Sequence, residues 1–392
     1  MTPLAFFAQQ WLAARGAEME DCLRRLVAID SNSRDKAGTD AVGAVLAAEL
    51  EADGIAVHRI PDAVYGDVLR AEIPGRTDAA PVLLMGHRDT VFPRGTVAGR
   101  GYSRDGENAF GPGVADMKGG LVVTSFVMRA LKAGGGAEFP IIALFTADEE
   151  IGSPSGRAAI EAAAKGARAA FNTEPGRVSG NVVTSRKGGL TLAISVEGRA
   201  AHSGVNHADG ASAIGALAAK VVKLHGLTDY ASGITTNVGV MRGGQAHNIV
   251  ADQAEAELDI RVTSVDQIDG LMRRITAILA AEDVPGTDAR FVKKAQFMPL
   301  EERHSAELFA RYVQAAAAVG FSVDGEFTGG CADSGFTAAL GVPSLCGLGP
   351  VGGRAHTDRE FCRLDTMVPR AQALAITIAD LVSNPRASPV EP

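Results

Sequence analysis

Side chains able to bind a divalent metal or to move a proton recur along the chain. They are His87 in His87-Arg88-Asp89, Asp116 behind Gly111-Pro112-Gly113, the adjacent Glu149 and Glu150, Glu174 ahead of Pro175, and His356. Imidazole and carboxylate donors together suit zinc and similar divalent ions. Two such ions roughly 3.5–4 Å apart need one bridging carboxylate and terminal ligands on each side, and together they acidify water and polarise a carbonyl. Hydrolysis also needs a base beside that water, and consecutive glutamates can divide the labour, one binding metal while its neighbour faces the water. Singly, each piece is commonplace: a His-x-Asp is usually a coincidence, a Glu-Glu pair is usually a solvated face, and His356 could equally be a capped or core histidine. Their order, with pieces set at the ends of buried apolar runs, is what points to metal-assisted hydrolysis.

The elements that must position these residues follow from hydrophobic periodicity. Leu23, Leu26, Val27, Val42, Val45, Leu46 and Leu50 recur at three-to-four spacing and predict helical core faces. Val82-Leu83-Leu84-Met85 and Ile141-Ile142-Ala143-Leu144-Phe145 are continuous apolar runs, the pattern of strands buried on both faces. Between them, residues 120–131 are apolar with helical spacing and stop at Gly134-Gly135-Gly136. Strand, helix, strand implies a mostly parallel sheet, in which ligands gather beyond the carboxyl ends of the strands. From Leu190 the pattern changes, with Leu192, Ile194 and Val196 alternating with Ala193, Ser195 and Glu197, as in a strand with one covered face. A helix over 212–224, strands over 235–240 and 254–262, and a helix over 265–281 complete a small α+β unit that reads as an insertion. After Pro299 a helix is predicted over 305–319, a strand over 344–346 and a helix over 369–381; the proline-bearing tail 383–392 reads as loose. The expected fold class is therefore α/β, with a catalytic domain at 1–188 and 300–392 interrupted by an α+β domain at 189–299.

Three motifs carry a family resemblance: Met85-Gly86-His87-Arg88-Asp89-Thr90-Val91, Gly111-Pro112-Gly113-Val114-Ala115-Asp116-Met117-Lys118-Gly119-Gly120 and Thr146-Ala147-Asp148-Glu149-Glu150-Ile151-Gly152-Ser153. They resemble the co-catalytic metallopeptidase family that contains bacterial glutamate carboxypeptidase, acetylornithine deacetylase, succinyl-diaminopimelate desuccinylase and aminoacylase, and the resemblance extends over nearly the whole chain. It implies a zinc-exopeptidase catalytic domain with an inserted lid and dimerisation domain. It implies two divalent ions, zinc first with manganese or cobalt as alternatives. Asp116 becomes the bridging ligand, His87 and Glu174 ligands of one metal, Glu150 and His356 ligands of the other, and Glu149 the general base. Asp89 would hydrogen-bond the far nitrogen of His87 and fix its tautomer. In that family a glutamate at the position of Glu174 goes with carboxypeptidases and deacylases. His202 matches a histidine that reaches into the partner subunit's site and stabilises an oxyanion. Asn248 and Arg261 match positions that hold a substrate carboxylate, an arginine fork suiting that group, although Arg261 could instead pair with Asp259 or Glu257. Gly330 lies in a loop resembling a substrate-pocket loop, where Cys331 replaces the more usual glycine or threonine. Arg88 stands where an apolar residue is common, and a cation there could alter metal affinity or touch an anionic substrate.

Composition narrows the function further. The chain has 392 residues, 46% apolar and 21% charged, with 38 Lys and Arg against 46 Asp and Glu, a globular balance with no basic run that would track a phosphate backbone. Neither nucleic acid nor a membrane is expected as a partner. The four cysteines lack paired spacing, and Leu4-Ala5-Phe6-Phe7-Ala8 lacks the basic leader of an export signal, so the expected location is cytoplasmic. The resulting expectation is a glutamate-carboxypeptidase-like exopeptidase acting on a small carboxylated substrate, and the resemblance implies a homodimer or larger homo-oligomer. Alternatives are an N-acyl amino acid deacylase, an unusual aminohydrolase of a carboxylated, possibly aromatic, amine, and a non-catalytic binding protein of the same fold.

Overall fold

The computed structural model describes residues 1–383; residues 384–392, nearly all of the tail read as loose, lie outside the described residues. The chain divides into two compact units, one formed by Met1–Ser185, Leu300–Thr328 and the chain from Ala332 onward, the other by Arg186–Pro299 with Gly329–Cys331.

The first unit contains a six-stranded sheet in the order Ala56–Ile60, Val68–Ile73, Ile141–Thr146, Val82–His87, Ala169–Asn172, Ser344–Leu345. The last four strands run parallel to one another, and the first two add an antiparallel edge. Val82–His87 and Ile141–Thr146 are buried at every residue, as a parallel sheet covered on both faces requires. The helix Gly120–Ala133 is apolar almost all round and packs against Pro3–Ala13 and Met367–Ala379. Gly120 is needed where it stands, because a Cβ there would lie 1.8 Å from the Thr173 carbonyl oxygen. The helix Glu302–Ala318 also belongs to this core through Leu308, Tyr312 and Ala315.

Two parts of this unit escape periodicity. Pro3–Ala13 begins with Pro3 and with a Thr2 hydroxyl that accepts from the Ala5 N–H at 3.2 Å, a capped helix start. Its buried stripe is only Ala5, Ala8 and Leu12, while Phe6 and Phe7 face outward, so hydrophobicity does not mark its inner face. Ala56–Ile60 is an exposed edge strand without apolar alternation.

The second unit is an antiparallel sheet in the order Thr235–Gly243, Gln253–Val262, Gly188–Glu197, Asp288–Phe297 with the helices Ala213–His225 and Asp266–Ala280. Gly188–Glu197 and Gln253–Val262 send Leu190, Leu192, Ile194, Leu258 and Ile260 into one core with Leu217 and Ile275 from the helices. The strand Asp288–Phe297 is additional to the elements predicted from the sequence: it carries Arg290, Lys293 and Lys294, and most of its residues are not buried. Charge on an edge strand limits further pairing and also hides the strand from a hydrophobicity pattern. Among the described residues no helix is long and apolar enough to cross a membrane.

Candidate metal centre

Neighbouring strands of a sheet lie about 4.8 Å apart, so residues leaving the same end of adjacent parallel strands converge. His87 is the last residue of Val82–His87, in register with Thr146 of its neighbour. Glu149 and Glu150 follow Ile141–Thr146 in a short turn, and Glu174 follows Ala169–Asn172. Asp116 comes from an irregular turn, Val114–Gly119, after Gly113 in a left-handed conformation (φ 71°), and its own φ of −110° and ψ of 92° keep it out of the helix that follows. His356 comes from the loop between the paired strands Gly352–Gly353 and Phe361–Arg363.

His87 Nε2 lies 3.2 Å from Asp116 Oδ1, 3.6 Å from Glu174 Oε1 and 4.0 Å from Glu149 Oε2. His356 Nε2 lies 3.3 Å from Asp116 Oδ2 and 3.1 Å from Glu150 Oε2. Each oxygen of Asp116 thus faces a different imidazole, the disposition a carboxylate shared between two ions would need. His87, Asp116 and Glu150 present donor atoms all within 4.8 Å of one another. Glu150 Oε1 is buried without a hydrogen-bond partner, and a buried acceptor is costly unless something positive meets it. This donor set fits divalent metal.

The electrostatics diverge between neighbours. Burial pushes the Glu149 carboxyl well above its usual range, against the pull of His87, and Glu174, Asp333 and Glu150 push it the same way. Burial also raises Glu150. Burial works against ionised Asp116, but its bonds to His356 and His87 outweigh it and hold the carboxyl low. Bonds to Asp116 and Glu150 raise half-exposed His356 to about 10. For His87 burial pulls downward, yet Asp116 and Asp89 hold the ring well above its ordinary value. Burial thus drives Glu149 upward while hydrogen bonds hold neighbouring Asp116 down.

Asp89 meets His87 with both its backbone and its carboxylate, and it meets other groups besides. The shortest contact of His87 Nδ1 is to the Asp89 carbonyl, at 3.0 Å, with the carboxylate Oδ1 at 3.3 Å. The buried carboxylate accepts from the Glu149 N–H at 3.2 Å, the Glu150 N–H at 3.1 Å and the Ser33 hydroxyl at 2.7 Å. Asp89 therefore orients the Glu149-Glu150 turn as well as His87. Arg88 points elsewhere, because successive side chains of an extended chain leave on opposite sides. It is fully buried and donates to the backbone carbonyls of Thr39, Asp67 and Thr146, and burial lowers it to about 10.

Periodicity and the motifs missed two buried carboxylates. Glu360 accepts from the N–H groups of Gly113 (3.1 Å), Ala115 (2.9 Å) and Asp116 (2.9 Å). Asp333 accepts from the Ser153 hydroxyl at 2.5 Å and the Thr146 hydroxyl at 3.4 Å. The available signal for Glu360 was its place four residues after His356.

The remaining candidates belong to the second unit. His202 is exposed, its Nδ1 accepts from the Gly204 N–H at 3.1 Å, and the Asn248 carbonyl accepts from the Ser203 N–H at 3.0 Å, so His202 and exposed Asn248 are near neighbours. Arg261 grips Asp259 with Nε and Nη2, both at 2.9 Å, and its Nη1 donates to Cys331 Sγ at 2.7 Å. The pairing with Asp259 that the sequence left open is the one observed. The Gly330 carbonyl accepts from Arg186 Nε at 3.0 Å.

Comparison with known proteins places this geometry in context. The sequence model of Peptidase family M20/M25/M40 matches residues 83–380. Carboxypeptidase G2 of a Pseudomonas species is 29% identical over 369 residues, covering 92% of this chain and 88% of that protein. The aminopeptidase PepT of Bacillus cereus superposes with a TM-score of 0.75 at 22% identity, covering 94% of this chain and 99% of that one. The M20 metallo-carboxypeptidase Sso-CP2 of Sulfolobus solfataricus superposes with a TM-score of 0.75 at 17% identity, covering 92% and 98%. Fold likeness at these identities spans enzymes that attack opposite ends of a peptide, so it does not select the substrate.

Proposed function

The chain belongs to Peptidase family M20/M25/M40 and is a metal-dependent hydrolase, and from that premise we propose that it cleaves an amide bond next to a free carboxylate, as a glutamate-carboxypeptidase-like exopeptidase. The observation that carries the reading is the convergence of His87, Asp116, Glu150, Glu174 and His356, with Asp116 facing both imidazoles and Glu149 beside them. The length of the match to carboxypeptidase G2 supports the carboxylate end.

In this reading His87 and Glu174 hold one divalent ion, Glu150 and His356 hold the other, and Asp116 serves both. Bound ions, zinc first with manganese or cobalt as alternatives, would supply polarisation of the scissile carbonyl and acidification of water. Glu149 Oε2 accepts the proton of the attacking water and returns it to the leaving nitrogen. Asp89 orients His87 and the peptide that carries Glu149. His202 donates to the developing oxyanion from a partner subunit in a homodimer formed through the inserted unit, which we read as the lid and dimerisation domain of a catalytic domain at 1–188 and 300–392. Asn248, the Gly330 backbone and Arg261 take the substrate carboxylate, Arg261 exchanging its Cys331 contact while Asp259 braces its guanidinium. A cytoplasmic location fits the free thiols of Cys22, Cys331 and Cys362.

The test is hydrolysis by the metal-loaded protein of a panel of acyl-glutamates, acyl-aspartates and N-acetyl neutral amino acids. Preference for the acidic conjugates is the expected result. Turnover of the acetylated neutral amino acids alone would replace the carboxypeptidase reading with a deacylase.

A further inference from the structure

Glu360 lies in no motif that marked the centre, yet it is 0% exposed, and its charge acts on the buried Lys118 ammonium, which itself donates to the Ile29 carbonyl. Its hydrogen bonds come from backbone: the N–H groups of Gly113, Ala115 and Asp116, at 3.1, 2.9 and 2.9 Å. Gly113 and Asp116 bracket the turn that presents the carboxylate facing both imidazoles. The topology explains the reach. Phe361 pairs with Phe110 in an antiparallel ladder, so the residue before Phe361 stands beside the chain that runs through Gly111 to Asp116. Phe361 also pairs with Gly353, closing the loop that carries His356.

That loop is also held by the Thr357 hydroxyl, which donates to the Arg354 carbonyl at 2.7 Å, by the Arg359 N–H on the Thr357 hydroxyl at 3.2 Å, and by Arg100 Nη1 on the Asp358 carbonyl at 3.2 Å. Arg354 and His356 both adopt the left-handed region, with φ of 56° and 65°, a conformation that a residue with a Cβ keeps only when its surroundings enforce it. Within the loop the Thr357 N–H donates to the Arg354 carbonyl and the Glu360 N–H to the Thr357 carbonyl, both at 3.3 Å. Glu360 is therefore fixed to the His356 loop through its backbone and to the Asp116 turn through its side chain.

We propose that Glu360 is a positioning residue that fixes the Asp116 turn and the His356 loop to each other, and so sets the affinity of the metal held between Asp116, Glu150 and His356. It touches neither metal nor substrate. The inference rests on the metal reading above and adds the group that pre-forms one of its two sites. Partners that orient metal ligands typically change metal affinity by about 10–100-fold when removed. A rival account makes Glu360 a loop cap that supports only folding.

Stepwise zinc binding to the chelator-stripped full-length chain separates these accounts, measured by calorimetry with His356→Ala as the reference that identifies the affected step. In Glu360→Gln the amide oxygen can still accept from Ala115 and Asp116, but the amide nitrogen cannot accept from Gly113; Glu360→Ala removes all three bonds. We expect the step lost in His356→Ala to weaken about tenfold or more in Glu360→Gln, and further in a folded Glu360→Ala. Wild-type affinity at both steps in Glu360→Gln, with or without a lower Tm, would overturn the inference. If the wild-type chain itself bound no zinc, the metal reading beneath it would fall instead.

Discussion

The two units hold their polar residues in different ways. In the first, His87, Asp89, Glu149 and Glu174 are almost fully buried and sit where adjacent parallel strands end, and each is tied to another member of the cluster or to the backbone beneath it. In the second, His202 and Asn248 are exposed, and their observed bonds reach only a few residues away or to the adjoining bridge, while Arg261 is engaged by Asp259 two residues before it. The buried cluster is pre-organised and carries the strained electrostatics that chemistry uses. The exposed residues are the ones to which the proposed function gives recognition of the substrate end.

The comparison breaks most visibly at the base. Glu149→Gln keeps the size of the side chain and removes its proton-accepting carboxylate, so kcat should fall roughly 10²–10⁴-fold while metal content stays at the wild-type level. Unchanged kcat would remove Glu149 from the mechanism and with it the claim that the buried cluster is the reactive one.

That claim was legible in the sequence because its residues stand at the ends of apolar runs whose strand identity is unambiguous. Ile141-Ile142-Ala143-Leu144-Phe145 could hardly be anything but a buried strand, and Glu149 and Glu150 come with it. Glu360 was not legible, since its partners are backbone N–H groups and its reach depends on the antiparallel register of Phe361 with Phe110, residues far apart in the sequence. Arg261 carried two readings that spacing alone could not separate, because a strand places residues i and i+2 on one face, within reach of each other.

Arg261 offers the sharper test of the second unit. If it takes the substrate carboxylate, Arg261→Ala should lower kcat/KM for acidic conjugates by about thirtyfold, the loss of about 2 kcal/mol expected for one charged hydrogen bond, chiefly through KM. Equal effects on acidic and neutral substrates would leave Arg261 as the partner of Asp259 and nothing more.

The smallest effect concerns stability. Burial raises the Asp333 carboxyl to about 6, against the opposing bond from Ser153, whereas an unfolded aspartate titrates near 3.9. Between these values the unfolded chain has released a proton that the folded chain keeps, so stability falls as pH rises through this window and levels off above about 6. Asp333→Asn lacks this slope. Its Tm relative to wild type should therefore climb between pH 4 and pH 7, by a few degrees at most; a pH-independent difference would show that Asp333 is not held neutral by the fold.

The most direct test of the metal centre is elemental mass spectrometry of the purified chain beside Asp116→Ala, with hydrolysis followed before and after chelation. The account predicts about two divalent ions per wild-type chain, their loss in the variant, and activity that disappears with the chelator and returns with added metal. A wild-type chain that hydrolyses its substrate at full rate without stoichiometric metal would contradict it.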